Sequence, residues 1–234
     1  MEKLTDKLNI FDIFTMLIPG IFSFGIISLS LAGDYYSIWE KTGNEKYVLF
    51  CIVSYVYGIF LQEFGAFCDQ KFVYENLYGG RPRELFLQKK WYEEIWNNEV
   101  AYEDALKIKE HFEIDFDKKN ENESNALMFA YCVNFCELNG MSGKIDRMLA
   151  ISEMARSLYW GCVLAIAVNV ILLIQGATMY KFLVLEIIIL SLLAPIFMHR
   201  KKRFEQYYIR MLVRTFLICS EKKFWLLLNE DVDK

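Results

Sequence analysis

Four stretches of this chain are long and apolar enough to cross a bilayer, and no other feature restricts the fold as strongly. A hydrocarbon core about 30 Å thick takes about 20 mostly apolar helical residues to cross, and such runs occupy 10–32, 47–64, 158–174 and 182–198. Backbone amides in lipid must pair within their own segment, so each run is expected as a helix. The chain is 55% hydrophobic but also 24% charged, so a substantial part must lie in water. The fold class that follows is all-α: a polytopic integral membrane protein with four transmembrane helices in two hairpins and a cytoplasmic helical domain. The expected divisions are a first hairpin over 1–66, the cytoplasmic domain over 67–157, a second hairpin over 158–199 and a C-terminal cytoplasmic amphipathic helix over 200–234.

Orientation follows from lysine and arginine, which hold short loops in the cytoplasm. Segment 33–46 carries only Lys41 and Lys46, and the turn 175–181 only Lys181, so both are expected outside. The run His199, Arg200, Lys201, Lys202, Arg203 follows the fourth span directly and places the C-terminus inside. Parity then puts the N-terminus and the central segment inside as well. A secretory signal ending at Ser30, Leu31 and Ala32 is the alternative for the first span. The length of that run, the acidic Asp6 and Asp12 ahead of it and the missing basic leader favour a retained anchor.

Within the central segment Phe86, Trp91, Ile95 and Trp96, then Ala105, Ile108 and Phe112, recur at helical spacing. Gly79, Gly80, Arg81 and Pro82 read as a turn opening a helix, and 117–123 as a surface loop. An apolar helix over 124–138 stops at Asn139 and Gly140, and the next helix, from Ser142, is expected to run without a break into the third span. The tail over 204–228 is amphipathic, and either docks on the protein's own core or lies on the bilayer.

Glu186 is the one acidic residue well inside a span, where a charge costs about 2.5–3.5 kcal/mol on insertion scales. Asn169 stands nine residues before Thr178 in the connecting turn and Glu186 eight after it, so the two share a depth and can hydrogen-bond. Glu186 repeated around an oligomer would form an ion site in a pore. A structural Asn–Glu pair or a snorkelled carboxylate is the plainer alternative. Pro19 and Gly20 interrupt the first span, as a gating hinge or as a static kink that improves packing. Ser23, Gly25, Ser28 and Ala32 give that span a small-residue face.

Enzymatic signatures are scarce, and no cofactor is expected. His111 and His199 lie far apart, and Cys132 and Cys136 stand one helical turn apart without a second ligand pair, which reads as buried thiols rather than metal. Six cysteines without a CxxC pair suit a reducing compartment. A net charge of −4 argues against duplex nucleic acid as a partner. Arg81, Arg83, Lys89, Lys90, Arg147 and Arg156 are candidates for binding a phosphorylated ligand at the cytoplasmic face. Anionic lipid headgroups are the competing reading, and alone account for 200–203.

Asp12 with Pro19 and Gly20, Tyr57 and Gly58 with Gln62, and Tyr131 and Cys132 followed by Arg147, Arg156 and Ser157 resemble a group of bacterial membrane proteins. Some of these look like the membrane effectors that accompany nucleotidyltransferases in anti-phage defence, of the Hailong type. The resemblance implies a homo-oligomeric channel-like effector of the bacterial inner membrane, a tetramer for instance. It further implies control by a nucleotide or oligonucleotide acting on the cytoplasmic domain. A small ion-coupled transporter using Glu186, or a non-conducting scaffold, would fit the same spans.

Overall fold

A computed structural model describes residues 13–40, 45–78, 80–88, 103, 106–108, 121–177 and 179–232, with the backbone alone over 32–40, 76–78, 121–122 and 221–232. Among the described residues every regular element is helical. A π-helical turn, Ile13–Leu17, leads into α1, Ile18–Glu40. Helix α2, Glu45–Cys68, continues as a π-helical segment, Asp69–Tyr78. A four-residue turn of helix, α3, Pro82–Leu85, precedes α4, Glu121–Leu138, then α5, Gly143–Ile174, and α6, Tyr180–Val232. Four stretches are long and apolar enough to cross a membrane: Ile13–Leu31, Glu45–Glu75, Gly143–Ile174 and Tyr180–Ser220.

The chain forms two compact units and passes between them at Cys68, Leu149 and Phe204. One contains residues 1–68 and 150–204, the other 69–149 and 205–234. The edge between these units falls at Leu149, within the segment 67–157 expected as the central domain. The C-terminal segment is not a separate element but the second half of α6, which runs through Pro195 and the basic cluster without a break.

In the first unit, packing is by close approach. The missing amide of Pro19 removes the helical bond to the carbonyl four residues earlier, and the wider turn at Ile13–Leu17 sits just there. Gly20 lies against the backbone of Ser54, and Gly58 against the backbone carbonyl of Met16, so a Cβ on either would overlap main-chain atoms of the neighbouring helix. The Ser23 side chain fits against Gly161 of α5, where an added Cβ would meet its hydroxyl. Around these contacts Cys162, Ala165, Leu190 and Ala194 are buried with Phe22, Ile26, Ile27 and Phe197 packed on them. Only 17% to 33% of each candidate span is buried within the chain.

The second unit has a dense core of a water-soluble kind. Met128, Cys132 and Cys136 form one stripe of α4, and Ile209, Leu212, Val213 and Phe216 one stripe of α6. Leu85, Phe86, Leu87, Ile108 and Ile145 close the same cluster. Asn125, itself buried, donates to the carbonyl of Glu84 at 2.9 Å and ties the end of α3 to α4. The tail of the chain thus docks on the central segment, one of the two readings its amphipathicity allowed.

Several local signals act as their chemistry dictates. Gly140 takes a positive φ of 68°, and the Met141 amide returns to the Cys136 carbonyl at 3.0 Å, stopping α4. Gly176 ends α5 the same way with φ 78°. Other expectations are corrected. Helix α1 continues through Glu40, where a loop from Gly33 was expected. Helix α4 opens at Glu121, so the last residues of the expected loop over 117–123 are helical. The helix opened by Pro82 ends at Leu85. Asp6, Asp12, Trp91, Ile95, Trp96, Ala105, His111 and Phe112 lie outside the described residues.

Gly58→Ala is expected to lower the thermal stability of the detergent-solubilised protein by about 1–3 kcal/mol, because main chain rather than a side chain must move. Gly25→Ala serves as the control, since its added Cβ would meet only the Phe50 ring at 3.8 Å. Equal melting temperatures for the two variants would contradict this packing.

Candidate functional site

The first unit carries a polar cluster among apolar side chains at Glu186. Leu183 and Leu190 mark the buried stripe of α6, and Glu186, between them, is half-buried beside it. Helices α5 and α6 join through the tight turn at Gly176, which sets Asn169 level with Glu186. Asn169 Nδ2 donates to Glu186 Oε2 at 3.0 Å. Ser30 of α1 donates to the same oxygen at 2.7 Å. The Ser30 hydroxyl also lies 3.0 Å from the Ile26 carbonyl, its other available acceptor.

Three helices are therefore joined through one carboxylate oxygen. Hydrogen bonds to a charged group contribute about 1.5–3 kcal/mol each, more than neutral ones. Among the described residues no lysine or arginine pairs with Glu186. Asn169 is fully buried, and its Oδ1 has no hydrogen-bond partner.

Sequence reading put Asn169 beside Glu186 and missed Ser30. The available signal was spacing: Ser23 and Ser30 stand seven residues apart, two helical turns, on the face that also presents Ile26 and Ile27. That pair, rather than Ser28, marks the contact face of α1. Pro19 and Gly20 are both buried, with Gly20 wedged against α2. Their setting is a tight helix crossing.

The six basic candidates fall in different surroundings. Arg81 and Arg83 come together at Glu84, each with Nε 4.0 Å from Oε1, and Glu84 also accepts from the Arg81 amide at 3.0 Å. Arg147 is exposed on α5. Arg156 belongs to the other unit, where its stem lies against Gly65 and its Nε is buried. Lys89 and Lys90 lie outside the described residues. In the boundary cluster Arg200 sits over the Phe204 ring at 5.5 Å, whereas Lys201 is buried, with its carbonyl accepting from Ser152 at 3.3 Å.

The cysteines are free thiols, five buried and Cys51 exposed. Burial pushes the Cys132 thiol up to about 12 and, reinforced by Cys219 and Glu137, the Cys136 thiol up to about 11. Cys219 lies 3.4 Å from the Met141 sulfur. These thiols act as packing groups, and among the described residues no group of histidine, cysteine and acidic side chains is arranged to hold a metal.

A raised thiol pKa favours the neutral form in the fold. Its stabilising effect is complete below the ordinary value of 9.0 and is lost as pH rises towards about 11 and 12. Both thiols are buried and held neutral, so at pH 8 iodoacetamide is expected to leave Cys132 and Cys136 unmodified in the native protein and to label both after denaturation. Labelling of native Cys132 at the rate of a free thiol would contradict this burial.

No protein-family model, no curated protein and no solved structure matches the chain.

Proposed function

We propose that the chain is a multi-pass protein of the bacterial inner membrane whose copies assemble into an ion-conducting pore, both termini facing the cytoplasm. The observation that carries this reading is the Glu186 carboxylate held by Asn169 and Ser30 in an otherwise apolar setting. An ionisable group at such a depth is costly and is a default marker of an ion pathway. The sparse burial of all four candidate spans supports assembly, because most of their apolar surface is left for lipid or for further copies. The resemblance stated above supplies the rest of the reading: a defence effector opened or closed by a nucleotide-derived ligand. Arg81, Arg83 and Arg147 of the second unit would meet that ligand, with Glu84 competing for the first two.

One observation favours a second reading. Asn169, Ser30 and Glu186 form their hydrogen bonds within one chain, as a transporter with one exchangeable carboxylate would have them. In that case vesicles would build a pH-dependent solute gradient instead of passing current.

Reconstituted in proteoliposomes, the wild-type protein is expected to dissipate an imposed ion gradient. Glu186→Gln and Glu186→Ala should each change that flux about tenfold, the equivalent of about 1.4 kcal/mol at the barrier. Unchanged flux in both variants would overturn a role for Glu186 in conduction, and no flux in the wild type under any ligand would overturn the pore.

A further inference from the structure

The cluster joining α1, α5 and α6 contains acceptors that its own donors do not fill. Both hydrogen bonds to Glu186 fall on Oε2. Asn169 is entirely buried, and its Oδ1 is without a hydrogen-bond partner. Buried amide oxygens are almost always satisfied, so an orphan beside a carboxylate points to a missing positive ligand. Within one amide the oxygen and nitrogen are about 2.2 Å apart, so with Nδ2 at 3.0 Å the orphan lies no more than about 5 Å from Oε2. A hard cation holds oxygens at about 2.4 Å, so two oxygens share one ion when they stand well inside that limit and the ion lies on the side away from Nδ2.

A proton on Oε2 would be donated to the Ser30 hydroxyl, which would then donate to the Ile26 carbonyl, and Asn169 Oδ1 would stay unfilled. A proton on Oε1 would instead fill Asn169 Oδ1 in an acid–amide pair, so the pH arm of the test below separates proton from cation. The surroundings set the charge. Neither Ile18–Leu31 nor the span-three residues 158–174 contain another charged side chain, and the nearest cation on α6, Lys181, is engaged 5.9 Å from the Tyr180 ring. Among the described side chains of these helices the carboxylate stands in apolar surroundings, which matches one positive charge. Calcium would require several carboxylates and six to eight oxygens.

We propose that Glu186, Asn169 and Ser30 form a binding site for one monovalent inorganic cation of sodium or potassium size. Glu186 and Asn169 Oδ1 are the principal ligands, Ser30 Oγ is a third, and further ligands would reach the ion from the half-exposed side of Glu186. The inference rests on the reading that these helices lie in lipid, and it names what the carboxylate holds there.

The test uses the full chain, purified in detergent, with thermal unfolding followed in sodium, potassium or choline chloride at equal ionic strength and at two pH values. The midpoint is expected to rise saturably with sodium or potassium, by about 5–10 °C at a hundredfold excess over the dissociation constant, and not with choline. Glu186→Gln and Asn169→Ala should abolish the rise, and the milder Ser30→Ala should shift it to higher cation concentration. A wild-type midpoint that follows pH alone would overturn the site in favour of a proton. Insensitivity to all three salts, or a rise retained in Glu186→Gln, would also overturn it. Binding is read here without conduction: a cation-dependent midpoint in a protein that passes no current contradicts only the pore, and conduction with no cation-dependent midpoint contradicts only the site.

Discussion

A bilayer interior offers a backbone amide no partner, and four stretches of this chain are long and apolar enough to meet that constraint. Each is a helix long enough to close its own ladder of hydrogen bonds across about 30 Å. Lipid also removes the hydrophobic drive for helices to associate, so contact must come from close fit and from polar groups. Both devices are present. Gly20, Gly58 and Gly161 let backbones and small side chains meet, and Ser30, Asn169 and Glu186 tie three helices through one oxygen.

The second unit follows the rules of a soluble domain. Its core is closed by two amphipathic stripes, one from α4 and one from the distal half of α6, with Phe86 and Phe216 fully enclosed. Aromatic edges add to this, Phe86 against Phe129 at 5.4 Å and Phe135 against Phe216 at 5.2 Å. One helix therefore carries two kinds of surface. The first part of α6 presents Leu185, Ile188, Ile189 and Leu192 outward, and the part beyond Phe204 turns its apolar side inward. The change falls at the basic cluster, where a membrane boundary is expected.

Much of the architecture was legible because apolar length is a strong and local signal. Counting residues from the α5–α6 turn was enough to set Asn169 beside Glu186, since a short connection fixes the register of a helical hairpin. Ser30 was hidden for the opposite reason: it lies 156 residues from Glu186, and only tertiary packing brings the two together. The continuity of α6 was hidden because hydropathy drops at His199 while the backbone does not notice. Lys201 misleads in a similar way, since its charge suggests a solvated or headgroup position and its side chain is enclosed. Charge pattern also suggested that the arginines gather, whereas Arg81 and Arg83 share Glu84, Arg147 is exposed and Arg156 belongs to the other unit.

Lipid as the solvent for the apolar helices is the central claim, and Cys51 tests it most directly. This cysteine of α2 is exposed on the isolated chain, and it lies among Tyr47, Val48, Leu49 and Ile52, which are exposed as well. In native membranes the peptide bearing Cys51 should resist a charged, water-soluble maleimide and be labelled by it after denaturation, because a thiol surrounded by hydrocarbon does not meet the charged reagent. Rapid modification by the charged reagent in intact membranes, at the rate seen after denaturation, would place that face of α2 in water and contradict the claim.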